Sequence, residues 1–472
     1  MPQTLAQRCA IARQTLEAIE QSHVLHFYDQ LDNAGQSQLL GQIESIDWPE
    51  VARLIESHVK HKPTCELPEN LQPAPWYPHQ PAEDLKDKYD QARAVGEQLL
   101  ADGQVAAFTV AGGQGTRLGW DGPKGTFPAT PITGKPLFAC FADYLLRAQQ
   151  RYGKAIPYYL MTSPINDGPT RVFWEEHAYF GLDPDNVKIF PQAMMPALDR
   201  LTGKVLLAAK DSLALSPNGH GGSLKALHTS GSLTDMQQRG IVHISYTQVD
   251  NPIVRVVDPL FLGLHAIDQA QMSSKMLPKS EPLEKLGNFC LVQGKMSVIE
   301  YSDLPDEYAY ETLDNGDLRF RAGSIAIHAI RVDFATSLNQ GAFGLPFHRA
   351  EKKVPFVDEQ GQTHQPDTPN AVKLETFVFD ALPMCDHSIV YETDRADEFA
   401  PIKNADAPGA KDCPATSQQL QSDRAKTWLK AQGIQVDHRA TIELSQRTAI
   451  YPDDLKNIDL PKTIGPDESV TL

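Results

Sequence analysis

A glycine-rich loop followed by two cationic side chains is the part of the sequence best suited to bind phosphate groups. Gly112, Gly113 and Gly115 lack the side chains that would keep backbone N–H groups away from phosphate oxygens. Arg117 and Lys124 then add a planar guanidinium fork and a compact ammonium charge. The pattern therefore predicts a site for a ligand with several adjacent anionic groups, such as a nucleoside triphosphate.

Two better-known phosphate-binding loops do not match this segment. A G-x-x-x-x-G-K-[ST] loop needs glycine before its lysine, whereas Lys124 follows Pro123, which has no N–H to offer. A dinucleotide fingerprint needs G-x-G-x-x-G, whereas Gly113, Gly115 and Gly119 are spaced one residue too widely. No strand ending in an acidic residue follows at the usual distance of about 20 residues either. The spacing thus excludes an NAD-dependent oxidoreductase.

The loop and several later segments resemble the UDP-sugar pyrophosphorylase family, specifically its UDP-N-acetylglucosamine pyrophosphorylase branch. The stretch A-G-G-Q-G-T-R-L-G, followed by P-K-G, matches the signature of that family. Further matching stretches occur in the family's order, so that the resemblance spans about residues 100–410. They are residues 190–192, 217–222, 249–251, 298–302, 353–358 and 398–406.

This resemblance implies a uridylyltransferase, which joins UTP and a sugar 1-phosphate into a UDP-sugar and releases pyrophosphate. It implies that Arg117, Lys124 and Lys403 hold the phosphates and carry the catalysis. It also implies that Gln192 reads uracil, because a side-chain amide offers the donor and the acceptor that an imide edge requires. The other nucleotide-binding positions that it implies are Val110, Ala111, Gly112, Gly113, Gly115, Thr116, Gly219 and Asp250.

The resemblance further implies a magnesium cofactor and a set of sugar-binding residues. Asp250 follows a predicted strand and is implied to bind Mg²⁺, which takes a carboxylate oxygen while keeping waters and phosphates as its other ligands. Sugar contacts are implied for His220, Glu300 and Ser324. The residues alone leave alternatives open: Asp250 also suits a helix cap or turn, His220 a turn within its glycine-rich loop, and Glu300 or Lys403 a surface ion pair.

The identity of the sugar is less firmly indicated. Residues 323–327 read Gly-Ser-Ile-Ala-Ile where the N-acetylglucosamine branch typically has Gly-Asn-Ile-Ala-Asn, so that Ser324 and Ile327 replace two amides. His220 stands where that branch usually has asparagine, and Gly-His-Gly resembles the UDP-glucose branch. N-Acetylglucosamine 1-phosphate is the first prediction, with UDP-glucose, UDP-galactose or broad-specificity synthesis as the alternative. A non-catalytic UDP-sugar-binding sensor is the alternative from another class, disfavoured because the whole charged set is present.

The elements around these residues predict an α/β fold. Apolar segments at residues 105–111, 156–163, 187–190 and 241–249 alternate with helical periodicity, which is typical of a Rossmann-like, mostly parallel sheet. A hairpin over 289–302 and a strand over 319–333 predict an antiparallel region beside it. The resemblance implies the GT-A-like nucleotidyltransferase form of this fold. We predict an N-terminal helical region with a proline-rich connection (1–100), a catalytic domain (101–405) and a small C-terminal module (406–472).

The composition of the chain limits its expected binding partners and its expected cellular location. The formal charge of −17 argues against nucleic acid or an anionic membrane as a general partner. Six cysteines are scattered without a C-x-x-C pair, which predicts reduced, mostly buried thiols. The sequence shows no secretory leader pattern and no long apolar run, so a cytoplasmic enzyme acting on small-molecule substrates is expected. Its oligomeric state is not legible.

Overall fold

The computed structural model describes residues 3–62, 71–341 and 343–472. By the contacts within each, the chain forms two compact units. The insert unit comprises Met1–Leu67, Gln192–Ser223 and Leu345–Val378, and the sheet unit comprises Pro68–Pro191, Leu224–Gly344 and Phe379–Leu472. The division of the chain into three consecutive regions (1–100, 101–405 and 406–472) stays a prediction. The start of the proline-rich connection, with Cys65, lies outside the described residues.

A ten-stranded sheet is the centre of the sheet unit. Its strands are β1 (Gln72–Pro73), β2 (Val105–Val110), β3 (Tyr158–Thr162), β4 (Val187–Pro191), β5 (His243–Gln248), β6 (Met272–Pro278), β7 (Gly287–Val292), β8 (Lys295–Ile299), β9 (Ala322–Arg331) and β10 (Ser388–Glu392). The main path through the sheet runs in the order β1-β7-β9-β5-β2-β3-β4. Strand β6 pairs with both β9 and β10, and β8 pairs with β7.

The sheet confirms the predicted α/β fold and shows how the antiparallel region is attached. Strands β5, β2, β3 and β4 are parallel neighbours, so their carboxyl ends lie along one edge. The antiparallel strands continue the same sheet instead of forming a second one, because the long strand β9 pairs with β5 through its second half and with β7 through its first. The parallel edge is where ligands of such sheets are expected.

Helices cover the sheet, and two of them pack unusually closely. A Cβ atom on Gly96 would lie 1.7 Å from the carbonyl oxygen of Pro259, and one on Gly263 would lie 1.7 Å from that of Ala92. Glycine at both positions therefore allows the two helix backbones to touch. The helices of this unit outside its C-terminal segment are Lys86–Ala101, Leu137–Tyr152, Pro164–Glu176, Ser232–Gln238, Pro259–Ile267, Asp306–Ala309, Val332–Ser337 and Arg395–Glu398. Helix Gly222–Thr229 has its first two residues in the insert unit and the others in the sheet unit.

The insert unit gathers segments from three parts of the chain. The predicted N-terminal helices are present as Leu5–Glu17, Asn33–Glu44 and Trp48–Leu54. Their buried faces share one hydrophobic cluster with Met195, Leu198 and Phe347. The strands of this unit form small sheets: Leu198–Asp199 with Ala371–Glu375 and His348–Lys352, Met194–Pro196 with Leu215–Pro217, Leu207–Ala209 with Ser212–Leu213, and Phe356–Val357 with Thr363–His364.

The C-terminal segment has a hydrophobic cluster of its own around Trp428, Leu429 and Ile442. This segment begins with helix Pro414–Ala431, and two short parallel pairs follow it: Gln435–Val436 with Thr463–Ile464, and Thr441–Glu443 with Ser469–Thr471. Within residues 3–62, 71–341 and 343–472, no helix is both long and apolar enough to cross a membrane. All cysteines in these ranges are free and buried, as predicted.

Candidate active site

The glycine loop leaves the carboxyl end of β2 and folds back on itself. The N–H of Gly115 donates to the carbonyl of Gly122 at 2.9 Å, and the N–H of Lys124 donates to that of Gly113 at 3.0 Å. Gly119 has the left-handed φ of 68° that the turn requires. These bonds close the loop and bring Lys124 back beside its first glycines.

The first residues of the loop present unpaired backbone donors. Among the residues that the structure describes, the N–H groups of Gly112, Gly113 and Gln114 donate no hydrogen bond within the protein. A Cβ atom on Gly113 would meet no atom within 4 Å, so its Cα faces open space. Unpaired N–H groups beside open space are what a phosphate needs in order to approach a backbone.

Not every glycine here serves an approaching ligand. A Cβ atom on Gly115 would lie 2.7 Å from Cβ of Trp120, and one on Gly125 would lie 2.1 Å from the ring of Phe138. Packing inside the protein already explains the absence of a side chain at these two positions. Of Gly113, Gly115 and Gly125, Gly113 is therefore the glycine whose open face suits nucleotide binding.

Three cations and one carboxylate lie beside this loop. The ammonium of Lys124 is 3.7 Å from Oδ2 of Asp250, and both side chains are largely buried. Burial lowers the pKa of Lys124, and the charges of Lys403 and Arg117 lower it further, while Asp250 opposes them. Among the charged groups that act most strongly on Lys124, two are cations and one is a carboxylate, an arrangement that suits an anionic ligand.

Asn251 fixes the chain segment that carries Lys403. Its side-chain amide donates to the carbonyl of Glu398 at 2.6 Å and accepts from the N–H of Ala400 at 3.1 Å. The N–H of Ile402 donates to the carbonyl of Asp250 at 2.8 Å. These bonds attach the segment to the end of β5. Asp250 does not cap the following helix, since Asp258 does so instead.

Gln192 lies in the insert unit, directly after β4. It is 7% exposed, and its side-chain oxygen has no hydrogen-bond partner among the described atoms. A buried amide oxygen without a partner is costly, and a ligand donor such as a base N–H would remove that cost.

Gly219 and His220 lie in a loop that packs on residues 375–378 of the same unit. Gly219 has a φ of 81°, and a Cβ atom there would lie 2.3 Å from the carbonyl oxygen of Thr376. Nδ1 of His220 accepts from the N–H of Val378 at 3.1 Å, and its ring stacks on Phe377. Burial lowers the pKa of His220 to about 4, with His348 contributing. His220 is therefore neutral near pH 7, with its proton on Nε2.

Glu300 and Ser324 are neighbours through the strand register of the sheet unit. Gly287 of β7 pairs with Ser324 of β9, and Glu300 directly follows β8, the other partner of β7. Oε1 of Glu300 lies 3.6 Å from the place where a Cβ on Gly287 would stand. Ile327 is instead buried in the hydrophobic core. Of the two departures from the amide pattern, only Ser324 lies beside Glu300.

The match to known proteins covers most of the chain. The family described as "UTP--glucose-1-phosphate uridylyltransferase" matches residues 53–444. The chain belongs to this uridylyltransferase family. The family predicted from the glycine-loop motif is thereby confirmed.

Individual members of the family are similar over nearly their whole length. A UDP-N-acetylhexosamine pyrophosphorylase-like protein 1 from Xenopus tropicalis is 35% identical over 434 residues, which cover 89% of this chain and 84% of that protein. The UDP-N-acetylglucosamine pyrophosphorylase of Saccharomyces cerevisiae is 32% identical over a match that covers 92% of this chain and 94% of that protein. A Trypanosoma brucei uridine diphosphate N-acetylglucosamine pyrophosphorylase, solved with an inhibitor, superposes with a TM-score of 0.82 at 25% identity and covers 98% of both chains.

The residues predicted for this uridylyltransferase fall into three groups. The sheet unit brings Arg117, Lys124, Asp250 and Lys403 together, and it places Glu300 beside Ser324. The insert unit holds Gln192, Gly219 and His220. Val110, Ala111 and Thr116 flank the glycines at the carboxyl end of β2. Their individual roles stay predictions.

Sequence reasoning missed two asparagines that hold the site. Asn251 fixes the segment before Lys403, and Asn166 bonds to the glycine loop. Both follow the carboxyl end of a parallel strand, β5 and β3 respectively. Polar residues at that edge of a sheet are the signal that could have identified them.

The donor set around Asp250 fits a magnesium ion that is shared with a nucleotide. No group of three or more His, Cys, Asp or Glu side chains forms a metal cage in the described ranges. Magnesium rarely needs such a cage, since one or two carboxylates, waters and substrate phosphates complete its coordination. Asp250 can supply the carboxylate, and the phosphates of a nucleotide would supply the rest.

Proposed function

We propose that this chain is a UTP:N-acetylglucosamine-1-phosphate uridylyltransferase. The observation that carries the proposal is the excess of cations, Arg117, Lys124 and Lys403 against Asp250, beside a loop with unpaired N–H groups. Membership of the uridylyltransferase family supports the nucleotide, and relatives named for UDP-N-acetylglucosamine support the sugar.

The reaction needs no protein nucleophile. An oxygen of the sugar 1-phosphate attacks the α-phosphorus of UTP and forms a new P–O bond. The bond from the α-phosphorus to the bridging oxygen breaks, and pyrophosphate leaves with that electron pair. The reactants are both polyanions, so positioning and charge neutralisation must supply most of the catalysis.

Lys124 and Lys403 are proposed to perform that neutralisation. Two unit charges about 4 Å apart interact by roughly 4 kcal/mol at an effective dielectric constant of ~20, so each well-placed ammonium offsets much of the repulsion between the phosphates. Arg117 is proposed to hold two phosphate oxygens with its guanidinium fork. Asp250 is proposed to hold Mg²⁺, which when bound would neutralise further phosphate charge.

Gln192 and His220 are proposed to recognise the neutral parts of the substrates. The unpaired side-chain oxygen of Gln192 suits the N3–H of uracil. His220 is neutral and carries its proton on Nε2, so it can donate a hydrogen bond but adds no positive charge. We therefore assign His220 to orientation of the sugar phosphate and not to charge neutralisation.

Glucose 1-phosphate is the second candidate sugar substrate, with galactose 1-phosphate or broad acceptance in the same class. Ser324 lies beside Glu300 and supplies a hydroxyl where an amide is typical of the N-acetylglucosamine branch. A site lacking that amide loses a hydrogen bond to an N-acetyl group but keeps Glu300 for the sugar hydroxyls.

The test is a pyrophosphate-release assay with Mg²⁺, UTP and a panel of sugar 1-phosphates, namely those of N-acetylglucosamine, N-acetylgalactosamine, glucose and galactose. We expect the highest kcat/KM with N-acetylglucosamine 1-phosphate. A preference for glucose 1-phosphate would favour the second candidate. Release of pyrophosphate with ATP but not with UTP would contradict the role of Gln192, and no release with any pair would contradict the proposed function.

A further inference from the structure

Asn166 makes three hydrogen bonds to the glycine loop with a single side chain. It lies in the first turn of helix Pro164–Glu176 and is completely buried. Its Nδ2 donates to the carbonyls of Gly112 at 2.9 Å and Gly113 at 3.0 Å. Its Oδ1 accepts from the side-chain amide of Gln114. Asn166 therefore contacts three successive residues of the loop.

These bonds determine which way two peptide groups of the loop face. In a trans peptide the C=O and the following N–H point in opposite directions. Holding the carbonyls of Gly112 and Gly113 toward Asn166 thus turns the N–H groups of Gly113 and Gln114 away from it. Those are two of the donors that have no partner within the described protein.

Without this restraint, the Gly112 carbonyl would have no partner among the described residues, and the Gly113 carbonyl would be held by one bond instead of two. Glycine populates positive and negative φ about equally, so Gly112 and Gly113 impose little orientation of their own. The carbonyl of Gly113 also accepts from the N–H of Lys124 at 3.0 Å. A rotation of that peptide would therefore break the bond that brings Lys124 back to the loop.

We propose that Asn166 is a positioning residue for the triphosphate. It holds the N–H groups of Gly113 and Gln114 toward the nucleotide and keeps the Lys124 segment closed on the loop. The inference rests on the proposed function, because it requires UTP as the ligand of the loop. If Asn166 had only a structural role, its substitution would impair folding and would weaken the binding of UTP and of the sugar 1-phosphate equally.

Replacement of Asn166→Asp tests this role with almost no change of volume. The new carboxylate would face two carbonyl oxygens in place of an N–H donor. We expect the Kd for UTP, measured by calorimetry, and the KM for UTP to rise about 10- to 100-fold, as for a buried polar contact that is lost. The KM for the sugar 1-phosphate should change less than about threefold.

The pH profile tests whether loss of the N–H donor causes the weaker binding of UTP. Below its pKa the new carboxyl carries a proton and can again donate to one carbonyl, so the affinity of the Asn166→Asp variant for UTP should recover in part as the pH falls from 8 to 5.5. Thr170→Val is the matched control, because Thr170 is equally buried in the same helix and its hydroxyl has no partner in the described structure. It should leave the Kd for UTP unchanged at every pH.

A second variant keeps the inference testable if Asn166→Asp does not fold. Gln114→Ala removes one of the three bonds from the loop side and should raise the Kd for UTP by a smaller factor, about 3- to 10-fold. A wild-type Kd for UTP in whichever variant folds, or an equal loss for both substrates, would overturn the role of Asn166. Failure of the proposed function is distinguishable, since the wild-type protein itself would then not bind UTP.

Discussion

Two lysine–carboxylate clusters of the sheet unit show how the same residue types serve different purposes. Lys275 is fully buried and lies 2.7 Å from Asp258 and 2.7 Å from Glu398. Lys124 is 15% exposed, and the carboxylate of Asp250 is 3.7 Å away. The first cluster is closed and fully hydrogen-bonded, whereas the second is open and loosely paired.

The balance of charge explains this difference. Around Lys275, Arg255 lies near both Asp258 and Asp397, and Arg424 lies near Asp397 and Glu398, so three cations face three carboxylates. Burial alone would raise the pKa of Asp258, but Lys275 and Arg255 hold it below its ordinary value. Around Lys124, burial lowers the pKa of its ammonium, and the charges of Lys403 and Arg117 lower it further. A balanced cluster is destabilised when one partner is removed, whereas an unbalanced one is suited to a polyanionic ligand.

The two clusters are also connected through the chain. Glu398 bonds to Lys275 with its carboxylate and accepts from Asn251 with its backbone carbonyl. Lys403 follows five residues later in the sequence and lowers the pKa of Lys124. The closed cluster thus anchors the segment that supplies a cation to the open one.

Removing Lys275 should cause the largest loss of stability. Lys275→Met would leave Asp258 and Glu398 buried without their shared cation, which costs about 3–5 kcal/mol of unfolding free energy in comparable pairs. Urea denaturation of the variant measures this loss. Lys86→Met is the control, because Lys86 forms an exposed pair with Glu83 in the same unit and should change the unfolding free energy by less than about 1 kcal/mol. Equal effects of the two changes would remove the distinction between the clusters.

Removing Lys124 should instead lower activity without lowering stability. Lys124→Met should lower kcat/KM about 100- to 1000-fold, or roughly 3–4 kcal/mol, since it removes a cation from the charge that develops in the transition state. The unfolding free energy should stay constant or rise, because repulsion with Arg117 and Lys403 is relieved. Steady-state kinetics and urea denaturation give both values. Lys135→Met removes a lysine paired with Asp143 in the same unit and should leave kcat/KM near that of the wild type.

Removing Lys403 should have a smaller effect that falls mainly on catalysis. Lys403→Ala should lower kcat/KM about 10- to 100-fold while the Kd for UTP changes little, if this cation acts mostly on the attacking and leaving phosphates. Lys411→Ala is the matched control, because Lys411 lies in the same loop and its side chain is 79% exposed. Near-normal turnover of the Lys403 variant would show that the open cluster needs only Arg117 and Lys124.

The open cluster was predictable from the sequence, and the closed one was not. Arg117 and Lys124 belong to one short motif, and Asp250 follows a strand whose parallel alignment with β2 could be inferred from apolar periodicity. Lys275, Asp258 and Glu398 are separated by 17 and 123 positions, and no local pattern marks them. Only the strand order and register bring them together.

In the insert unit, too, neither the charge of a side chain nor its long-range packing could be predicted from the sequence. The motif identified His220, but its neutrality depends on burial and on His348, which lies far along the chain. The periodicity of the N-terminal residues predicted helices there. Their partners, such as Met195 and Phe347, come from distant segments that no local pattern connects with these helices. Local pattern thus predicts elements and motifs, whereas ionisation and long-range packing require the fold.

The smallest predicted effect is a pH dependence caused by Lys124. As the pH rises, the stability that depends on this residue should increase while the activity decreases. The pKa of Lys124 lies below its ordinary value of 10.5 in the folded protein. Between these two pKa values the unfolded chain binds more protons, so the stability of the wild type relative to Lys124→Met should rise with pH across that window and level off above 10.5. Catalysis needs the charged ammonium, so kcat/KM should fall over the same window.

Urea denaturation and steady-state kinetics at pH values from 7 to 11 test this opposition. The Lys124→Met variant is the control for both, since its own activity and stability should lack the Lys124 contribution at every pH. If wild-type kcat/KM and relative stability both fell as the pH rose, Lys124 would be stabilised as a cation in the folded protein. It would then resemble Lys275, and the distinction between an open and a closed cluster would not hold.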